Sequence, residues 1–159
     1  MKKQYKIWFM NQLAKIQQEQ NLLLRLGIQL GCEDDRISTE IFAFEKALKG
    51  EKLKDGKTSN ADAIIDEKDL PFYDKTLDFI FAPDLFKRVQ DDYRNIALKH
   101  WLNKIKDGGA VMMIIEEKDE AELKELIIGL KSKFKLKTKY EDLGDKLIGV
   151  IIQKKYPKW

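Results

Sequence analysis

The amino-acid sequence predicts an α/β fold built on a mostly parallel sheet. Three short apolar runs, each bounded by turn residues, support this fold class: residues 63–65, 77–82 and 110–115. Runs of this length are typical of strands buried on both faces of a sheet. Helical spacing fills the interval between the second run and the third, and a helix between two buried strands indicates a βαβ unit.

The composition limits the class of protein. The length of 159 residues fits one domain with a core of its own. Because Cys32 is the single cysteine and the chain has one histidine, neither an internal disulfide nor a metal site is expected. The net charge of +3 does not by itself indicate a nucleic-acid-binding protein. No stretch approaches the roughly 18 apolar residues of a membrane span. No secretory signal is recognisable either, so we expect an intracellular protein.

Residues 4–20 predict an amphipathic helix with a strongly aromatic face. Its apolar side chains recur every three or four residues: Tyr5, Trp8, Phe9, Leu13 and Ile16. Such a face packs either on the domain's own sheet or on another protein subunit, and both interpretations stay open. The first 18 residues contain no acidic side chain. This fits a mitochondrial address, and the alternative compartment is the cytoplasm.

Residues 22–30 predict the first strand, either alone or after the end of a helix. Gly31 and Cys32 follow this strand directly. A glycine here allows the unusual backbone angles and the close approach of a ligand that a binding loop needs. Glu33 and Asp35 come next, and their side chains would crowd such a loop.

The segment after this loop has two interpretations. In the first, Ser38 or Thr39 begins a helix over residues 38–49. In the second, residues 41–44 form a strand that ends in the carboxylate of Glu45. The second interpretation removes the first helix almost entirely. In both, one βα unit is shortened or missing between the loop and the next apolar run.

Residues 85–105 predict one long helix with an apolar face. Tyr93 and Trp101 lie on that face, and we expect both in the core. Asp84 precedes the helix and is suited to cap it. His100 lies beside the apolar face, where it is either a satisfied side chain or a candidate base.

The C-terminal part predicts a helix over residues 120–130 and then two antiparallel strands joined by a turn at residues 142–145. Four lysines alternate with apolar or neutral residues in the first of these strands: Lys133, Lys135, Lys137 and Lys139. They either protect an exposed sheet edge or contact the phosphates of RNA. A basic and aromatic tail, residues 156–159, follows the second strand.

The order of elements after residue 63 resembles a known family. Asp66 ends an apolar run, Asp69-Leu70-Pro71-Phe72 follows it, and Lys106-Asp107-Gly108-Gly109 precedes the last parallel strand. This order is similar to the second half of the class I S-adenosylmethionine (SAM) dependent methyltransferases. The resemblance runs from roughly residue 26 to residue 154. It implies a Rossmann-like sheet closed by a C-terminal antiparallel hairpin, with the N-terminal half reduced in this chain.

The resemblance implies roles for particular residues if SAM binds. Asp66 would receive the adenine amino group, Leu70 in the following loop would line the cofactor site, and Glu45 would hold the ribose. Gly31 and Cys32 would match the start of the family's Gly-Cys-Gly-x-Gly loop. Glu33 and Asp35 stand where that loop has its second and third glycines, so we expect that SAM is not bound. Asp84 and His100 would be the candidate catalytic residues.

We therefore predict a degenerate, non-catalytic methyltransferase-like protein that acts as a structural or assembly subunit. It would comprise an N-terminal helix (residues 1–21), a methyltransferase-like domain (22–155) and a tail (156–159). The helix and the basic C-terminal end would contact other protein subunits, with RNA as a further possible partner. The alternative is an active SAM-dependent methyltransferase with an atypical loop.

Overall fold

The structure is a computed structural model that describes residues 3–20, 26–31, 41–45, 49–54, 56–83 and 85–155. Within these ranges the chain forms four α-helices, one 3-10 turn and seven strands. The helices are α1 (Lys3–Gln20), α2 (Leu85–Arg88), α3 (Asp91–Lys104) and α4 (Glu120–Leu130), and the 3-10 turn covers Glu117–Asp119. The strands are β1 (Gly27–Leu30), β2 (Phe42–Glu45), β3 (Ala63–Ile64), β4 (Leu77–Ala82), β5 (Ile105–Glu116), β6 (Leu136–Gly144) and β7 (Leu147–Lys154).

All seven described strands form one sheet in the order β3-β2-β1-β4-β5-β7-β6. The pairs from β3 to β5 are parallel, whereas β7 is antiparallel to both β5 and β6. The predicted fold class is therefore confirmed, including the closing hairpin. The N-terminal half keeps its three strands. In the connection from β2 to β3, the described residues 49–54 and 56–62 contain no helix.

Each face of the sheet is covered by its own layer of side chains. On one face, Leu98, Trp101 and Leu102 of α3 pack on Ile80 and Val111 of the central strands. On the other face, α1 packs on β4, β5 and β7. The central strand β4 is buried along its whole length. This explains why its residues, apart from Asp78, form an apolar run rather than an alternating pattern.

The aromatic face of α1 is buried against the domain's own sheet. The ring centroid of Phe9 lies 4.5 Å from that of Phe81, and Trp8 Nε1 donates a hydrogen bond of 2.7 Å to Glu141 Oε2. Trp8 also covers Gly149 of β7, where a Cβ atom would lie 2.4 Å from the indole ring. Of the two interpretations of this helix, packing on the sheet is the one that the structure shows.

The helix expected over residues 38–49 is wrong, because residues 42–45 form strand β2. Ile28 of β1 pairs with Phe42 in parallel register. The next two residues alternate between the faces of the sheet, and both Ala43 and Phe44 are buried. A strand buries these two side chains in opposite layers, which a helix cannot do. The second interpretation, with a strand over residues 41–44, is correct.

The single helix expected over residues 85–105 is also wrong. It is divided into α2 and α3, because Gln90 has extended backbone angles, φ −64° and ψ 152°. Trp101 is buried as expected, whereas Tyr93 is 41% exposed and does not lie in the core. The break allows Arg94 to bind back to α2, since its guanidinium donates hydrogen bonds to the carbonyls of Phe86 and Val89.

Candidate functional site

The strand order reverses between β1 and β4, at the carboxyl edge of the parallel strands. In open α/β sheets, ligands bind in the crevice outside this edge, at the point of reversal. Three described segments reach this edge: Gly31 after β1, residues 65–72 after β3, and α2 after β4. They define the candidate site.

Gly31 has a backbone conformation that favours glycine. Its φ is +85°, in the left-handed region, and the residue is buried. Its N–H donates a hydrogen bond of 2.7 Å to the carbonyl of Phe44, which ties the end of β1 to β2. The buried Gln29 side chain donates to the carbonyl of Gly31 at 2.9 Å. The loop residues Cys32, Glu33 and Asp35 lie outside the described residues.

Asp66 and Leu70 lie in the loop after β3. The Asp66 side chain is exposed, and its Oδ1 accepts a hydrogen bond of 2.9 Å from the N–H of Lys68. The carboxylate therefore stabilises the turn of its own loop. Leu70 is buried. Glu45 ends β2 beside this loop, paired with Ile64 through the backbone.

Two side chains of α3 hold the same loop in place. Trp101 Nε1 donates a hydrogen bond of 2.8 Å to the carbonyl of Glu67, and the N–H of Leu70 donates one of 2.7 Å to His100 Nε2. Burial, followed by the charge of Lys104, lowers the pKa of His100, although nearby carboxylates oppose this. A neutral imidazole that accepts from a backbone N–H positions the loop. Of the two roles that the sequence allows for His100, this is the one in which the imidazole makes a hydrogen bond within the fold. Asp84 lies outside the described residues.

A buried ion pair crosses the carboxyl edge, and sequence reasoning did not find it. Arg88 ends α2, and its guanidinium donates a hydrogen bond of 3.0 Å to Glu67 Oε1. The two side chains are only 14% and 9% exposed. Neither residue belongs to a recognisable motif, so the sequence carried no signal for this pair.

The Arg88 guanidinium lies directly against Gly31. A Cβ atom built on Gly31 would be 2.8 Å from Cζ, Nε and one terminal nitrogen of Arg88. Because Arg88 follows β4, Gly31 follows β1 and Glu67 follows β3, the side chain spans the point where the strand order reverses. The Arg88–Glu67 pair also borders an open groove of about 330 Å³, which Lys68 and Tyr93 line further out.

Comparison with known proteins identifies the fold. No protein-family model matches the chain, and no curated protein sequence is similar to it. Among solved structures, the magnesium protoporphyrin IX methyltransferase of Synechocystis PCC 6803 with bound SAM has a TM-score of 0.61 and 12% identity. That match covers 96% of this chain and 80% of the other. The chain has the class I methyltransferase fold.

Two further solved structures have the same fold. The N-methyltransferase NodS of Bradyrhizobium japonicum WM9 has a TM-score of 0.61 at 9% identity, and the match covers 97% of this chain and 98% of that one. A TehB-like SAM-dependent methyltransferase of Corynebacterium glutamicum has a TM-score of 0.58 at 11% identity, with 89% and 86% covered. This methyltransferase-like chain thus spans most of each neighbour's length.

The fit of SAM to the site follows from the position of Arg88. A glycine at the tip of β1 serves a ligand by allowing it to approach the backbone closely. In the described residues, the guanidinium occupies the space against Gly31. The Arg88 guanidinium, paired with Glu67, therefore lies where a ligand of this edge would approach Gly31.

Neither a membrane-spanning helix nor a metal-binding cluster occurs in the described part of the chain. None of the described helices has the length and apolarity needed to cross a membrane. No cluster of three or more histidine, cysteine, aspartate or glutamate side chains with metal-binding geometry occurs in those residues.

Proposed function

We propose that this methyltransferase-like protein is non-catalytic and serves as a structural or assembly subunit. The Arg88–Glu67 ion pair that lies across Gly31 is the observation that carries the proposal. It fills the crevice in which ligands of such sheets bind. The position of the Arg88 side chain is fixed at both ends. Its backbone belongs to α2 after β4, and its guanidinium is bound by Glu67 in the loop after β3.

The sequence of the loop after Gly31 supports the same proposal. Glu33 and Asp35 replace two glycines of the family's loop. Side chains there restrict the backbone and reduce the space for a ligand. Steric filling from Arg88 and substitution of the glycines are independent changes, and both act against the same ligand.

A structural role fits a chain that keeps all seven strands of the sheet while Arg88 occupies the space against Gly31. The aromatic side of α1 is used within the domain, so the outward side of this helix is the surface that it offers to another subunit. Ile7 and Met10 are 51% and 47% exposed on that side. Exposed large apolar side chains on a helix are suited to a protein partner. The basic C-terminal end remains the second proposed contact.

An active SAM-dependent methyltransferase is the second candidate function. The buried, left-handed Gly31 at the tip of β1 and the exposed Asp66 carboxylate after β3 favour it. It requires Arg88 to leave Gly31 when SAM binds, which breaks the buried pair. Because one charge of a buried pair is then left without its partner, this opening opposes binding.

Isothermal titration with SAM and with S-adenosylhomocysteine tests the proposal. We expect no heat of binding with the unaltered chain. Binding that appears in the Arg88→Ala variant, or in the Glu33→Gly, Asp35→Gly double variant, would identify the group that closes the site. Lys87→Ala is the matched control, because Lys87 is exposed in the same short helix. Micromolar binding by the unaltered chain would contradict the proposal and support the active enzyme.

The structural role has a separate test. The tagged chain should sediment with a large assembly in extracts of its native cells, and the Ile7→Glu, Met10→Glu variant should sediment as a free monomer. Lys15→Glu, on the exposed side of α1 but not apolar, is the control. Sedimentation of the unaltered chain as a monomer would refute the role as a subunit.

A further inference from the structure

The two edges of the sheet differ greatly in length. β3, at one edge, has two residues, whereas β6, at the other edge, has nine. An edge strand presents backbone N–H and C=O groups to any strand that can pair with it, and a very short edge strand avoids such pairing. Of the two edges, the one at β6 is therefore long enough to add a further strand.

The backbone of β6 bonds to β7 at alternate residues. The N–H of Lys155 donates a hydrogen bond of 2.9 Å to the carbonyl of Lys135, which lies opposite it in the hairpin. Bonded pairs alternate with unbonded pairs along an antiparallel ladder, so the odd-numbered residues from 135 to 141 bond to β7. The even-numbered residues direct their backbone groups away from β7: Thr138, Tyr140 and Asp142.

The charges of β6 change sign along the strand. Lys137 and Lys139 come first, Glu141 and Asp142 follow, and all four side chains are exposed. The first half of the strand is thus positive and the second half negative. If two such strands run antiparallel, the basic half of each lies beside the acidic half of the other.

These charges select one register for two paired copies. The outward backbone groups belong to even-numbered residues, so Tyr140 can face Tyr140 of the second copy. In this register Lys139 of each copy lies opposite Glu141 of the other, on the face that carries α1. If one strand slides by two residues, either Lys139 or Glu141 meets its own copy. Like charges that are directly opposite destabilise a strand pair.

The groups already bound to Lys139 and Glu141 leave this pairing possible. Lys139 lies 3.9 Å from Glu19 of α1, and its side chain is still 51% exposed. Glu141 accepts hydrogen bonds from Trp8 and Gln12, both at Oε2, and a carboxylate can accept several such bonds. Both side chains can therefore turn towards a second strand at the edge.

On the other face, the centre of the contact is aromatic. Tyr140 is 36% exposed, and the ammonium of Lys124 lies 4.9 Å from the centroid of its ring. Glu120 pairs with this lysine at 2.7 Å. Ile128 lies one turn further along the same side of α4 and is 67% exposed. Two tyrosines that meet across the strands form a favourable aromatic pair, with this apolar surface beside it.

We propose that β6 pairs antiparallel with β6 of a second copy of this chain, about a two-fold axis at Tyr140. The contact is closed, because a two-fold axis uses the same surface of both copies. It requires neither a closed cofactor site nor another protein, so it goes beyond the proposed role as a subunit. A contact over residues 138–142 lies at the low end of interface sizes, so we expect a dissociation constant on the order of 10 µM. At the much lower concentrations of a cell extract the copies are separate.

The test is sedimentation equilibrium of the purified chain from about 1 to about 200 µM, which spans the expected dissociation constant. We expect monomers at the lowest concentration and dimers at the highest. Lys139→Glu places carboxylates opposite each other at two points of the contact, so the dissociation constant should rise about tenfold or more. Lys52→Glu is the matched control, because Lys52 is exposed in the segment between β2 and β3, towards the other edge.

A charge exchange separates pairing from damage to the fold. Glu141→Lys should also dimerise weakly, because it places lysines opposite each other. An equimolar mixture of Lys139→Glu and Glu141→Lys, with one chain labelled, should form mixed dimers with nearly the affinity of the unaltered chain. In the mixed dimer every glutamate at these positions faces a lysine. A misfolded variant could not regain affinity in this way.

A proline variant tests the backbone and leaves the charges unchanged. The N–H of Thr138 points away from β7, so Thr138→Pro removes hydrogen bonds of the dimer without breaking the ladder between β6 and β7. We expect this variant to remain folded by circular dichroism and to be monomeric throughout the concentration range. It also serves if Glu141→Lys loses the fold along with its bond to Trp8.

Three results would overturn the proposal. The first is an unaltered chain that stays monomeric at about 200 µM, which would leave the β6 edge to a strand of a different protein. The second is dimerisation of Lys139→Glu or Thr138→Pro as strong as that of the unaltered chain. The third is a charge-exchange mixture that associates no better than its components. Because the purified chain is measured without SAM or extract, these failures are distinct from failure of the proposed function.

Discussion

The Arg88–Glu67 pair predicts a defined loss of stability when one partner is removed. At 3.0 Å and an effective dielectric constant of 20, the attraction of two unit charges is about 5 to 6 kcal/mol before desolvation is subtracted. Arg88→Met keeps an unbranched apolar stem but leaves the Glu67 carboxylate, which is 9% exposed, without its charged partner. We expect the free energy of unfolding to fall by about 3 kcal/mol. Glu67→Met should have a similar effect.

The double variant distinguishes a buried pair from two unrelated side chains. With both residues changed to Met, no charge is left buried, so the loss should be smaller than the sum of the single losses by about 2 kcal/mol. Urea denaturation at pH 7, followed by tryptophan fluorescence, measures all three variants. Lys124→Met, in the exposed pair with Glu120, is the control and should change stability by less than about 1 kcal/mol. Single losses below about 1 kcal/mol, or additive losses, would refute the reasoning.

Two further predictions concern packing and protonation. Gly149→Ala places a methyl group against Trp8, 2.4 Å from its ring, and should reduce stability to urea by about 2 kcal/mol. In Gly129→Ala the new methyl group meets no atom within 4 Å, so this variant should be neutral or slightly more stable. A larger loss of stability in Gly129→Ala than in Gly149→Ala would contradict this packing. Because burial lowers the pKa of His100, the unfolded chain binds a proton first as the pH falls below about 6.5, the ordinary histidine pKa. The stability that the hydrogen bond from the Leu70 N–H contributes is therefore present above pH 6.5 and lost as the pH falls through the lowered pKa. The His100→Gln variant should not show this decrease in stability. An NMR titration of this single histidine that gives a pKa above 6.5 would contradict the assignment.

The elements predicted most accurately are those whose local pattern and tertiary environment agree. β4 covers residues 77–82 and α4 covers residues 120–130, as the sequence predicts. β4 is buried on both faces, so every residue of the run is apolar apart from Asp78. The Asp78 carboxylate accepts a hydrogen bond from the N–H of Leu26. α4 has acidic residues in its first turn, which a helix N-terminus favours.

The sequence could not decide whether residues 41–44 form a helix or the strand β2, because these four residues are compatible with both. Residues 41–44 are all apolar, and a short apolar run has neither the period of a helix nor that of a strand. The pairing with β1 decides in favour of a strand, and this pairing is a long-range contact. The break between α2 and α3 has no glycine or proline to mark it.

The contacts of the candidate site could not be predicted for a related reason. Glu67 and Arg88 are 21 positions apart, and they meet only because β3 and β4 end at the same edge of the sheet. The hydrogen bond from the Leu70 N–H to His100 joins positions 30 apart. Local periodicity contains no information on such pairs. The resemblance directed attention to Asp66, which lies in the same loop but points to solvent.

The position of α1 determines the order in which the chain can fold. This helix is synthesised before the strands that it covers, yet its aromatic face packs on β4, β5 and β7, and its Trp8 donates a hydrogen bond to Glu141 of β6. The helix therefore cannot reach its final position until β7 has emerged from the ribosome. Until then, its aromatic side chains and the matching face of the sheet are exposed to solvent. Contacts between such distant parts of a chain form slowly, so chaperones have time to bind the nascent protein.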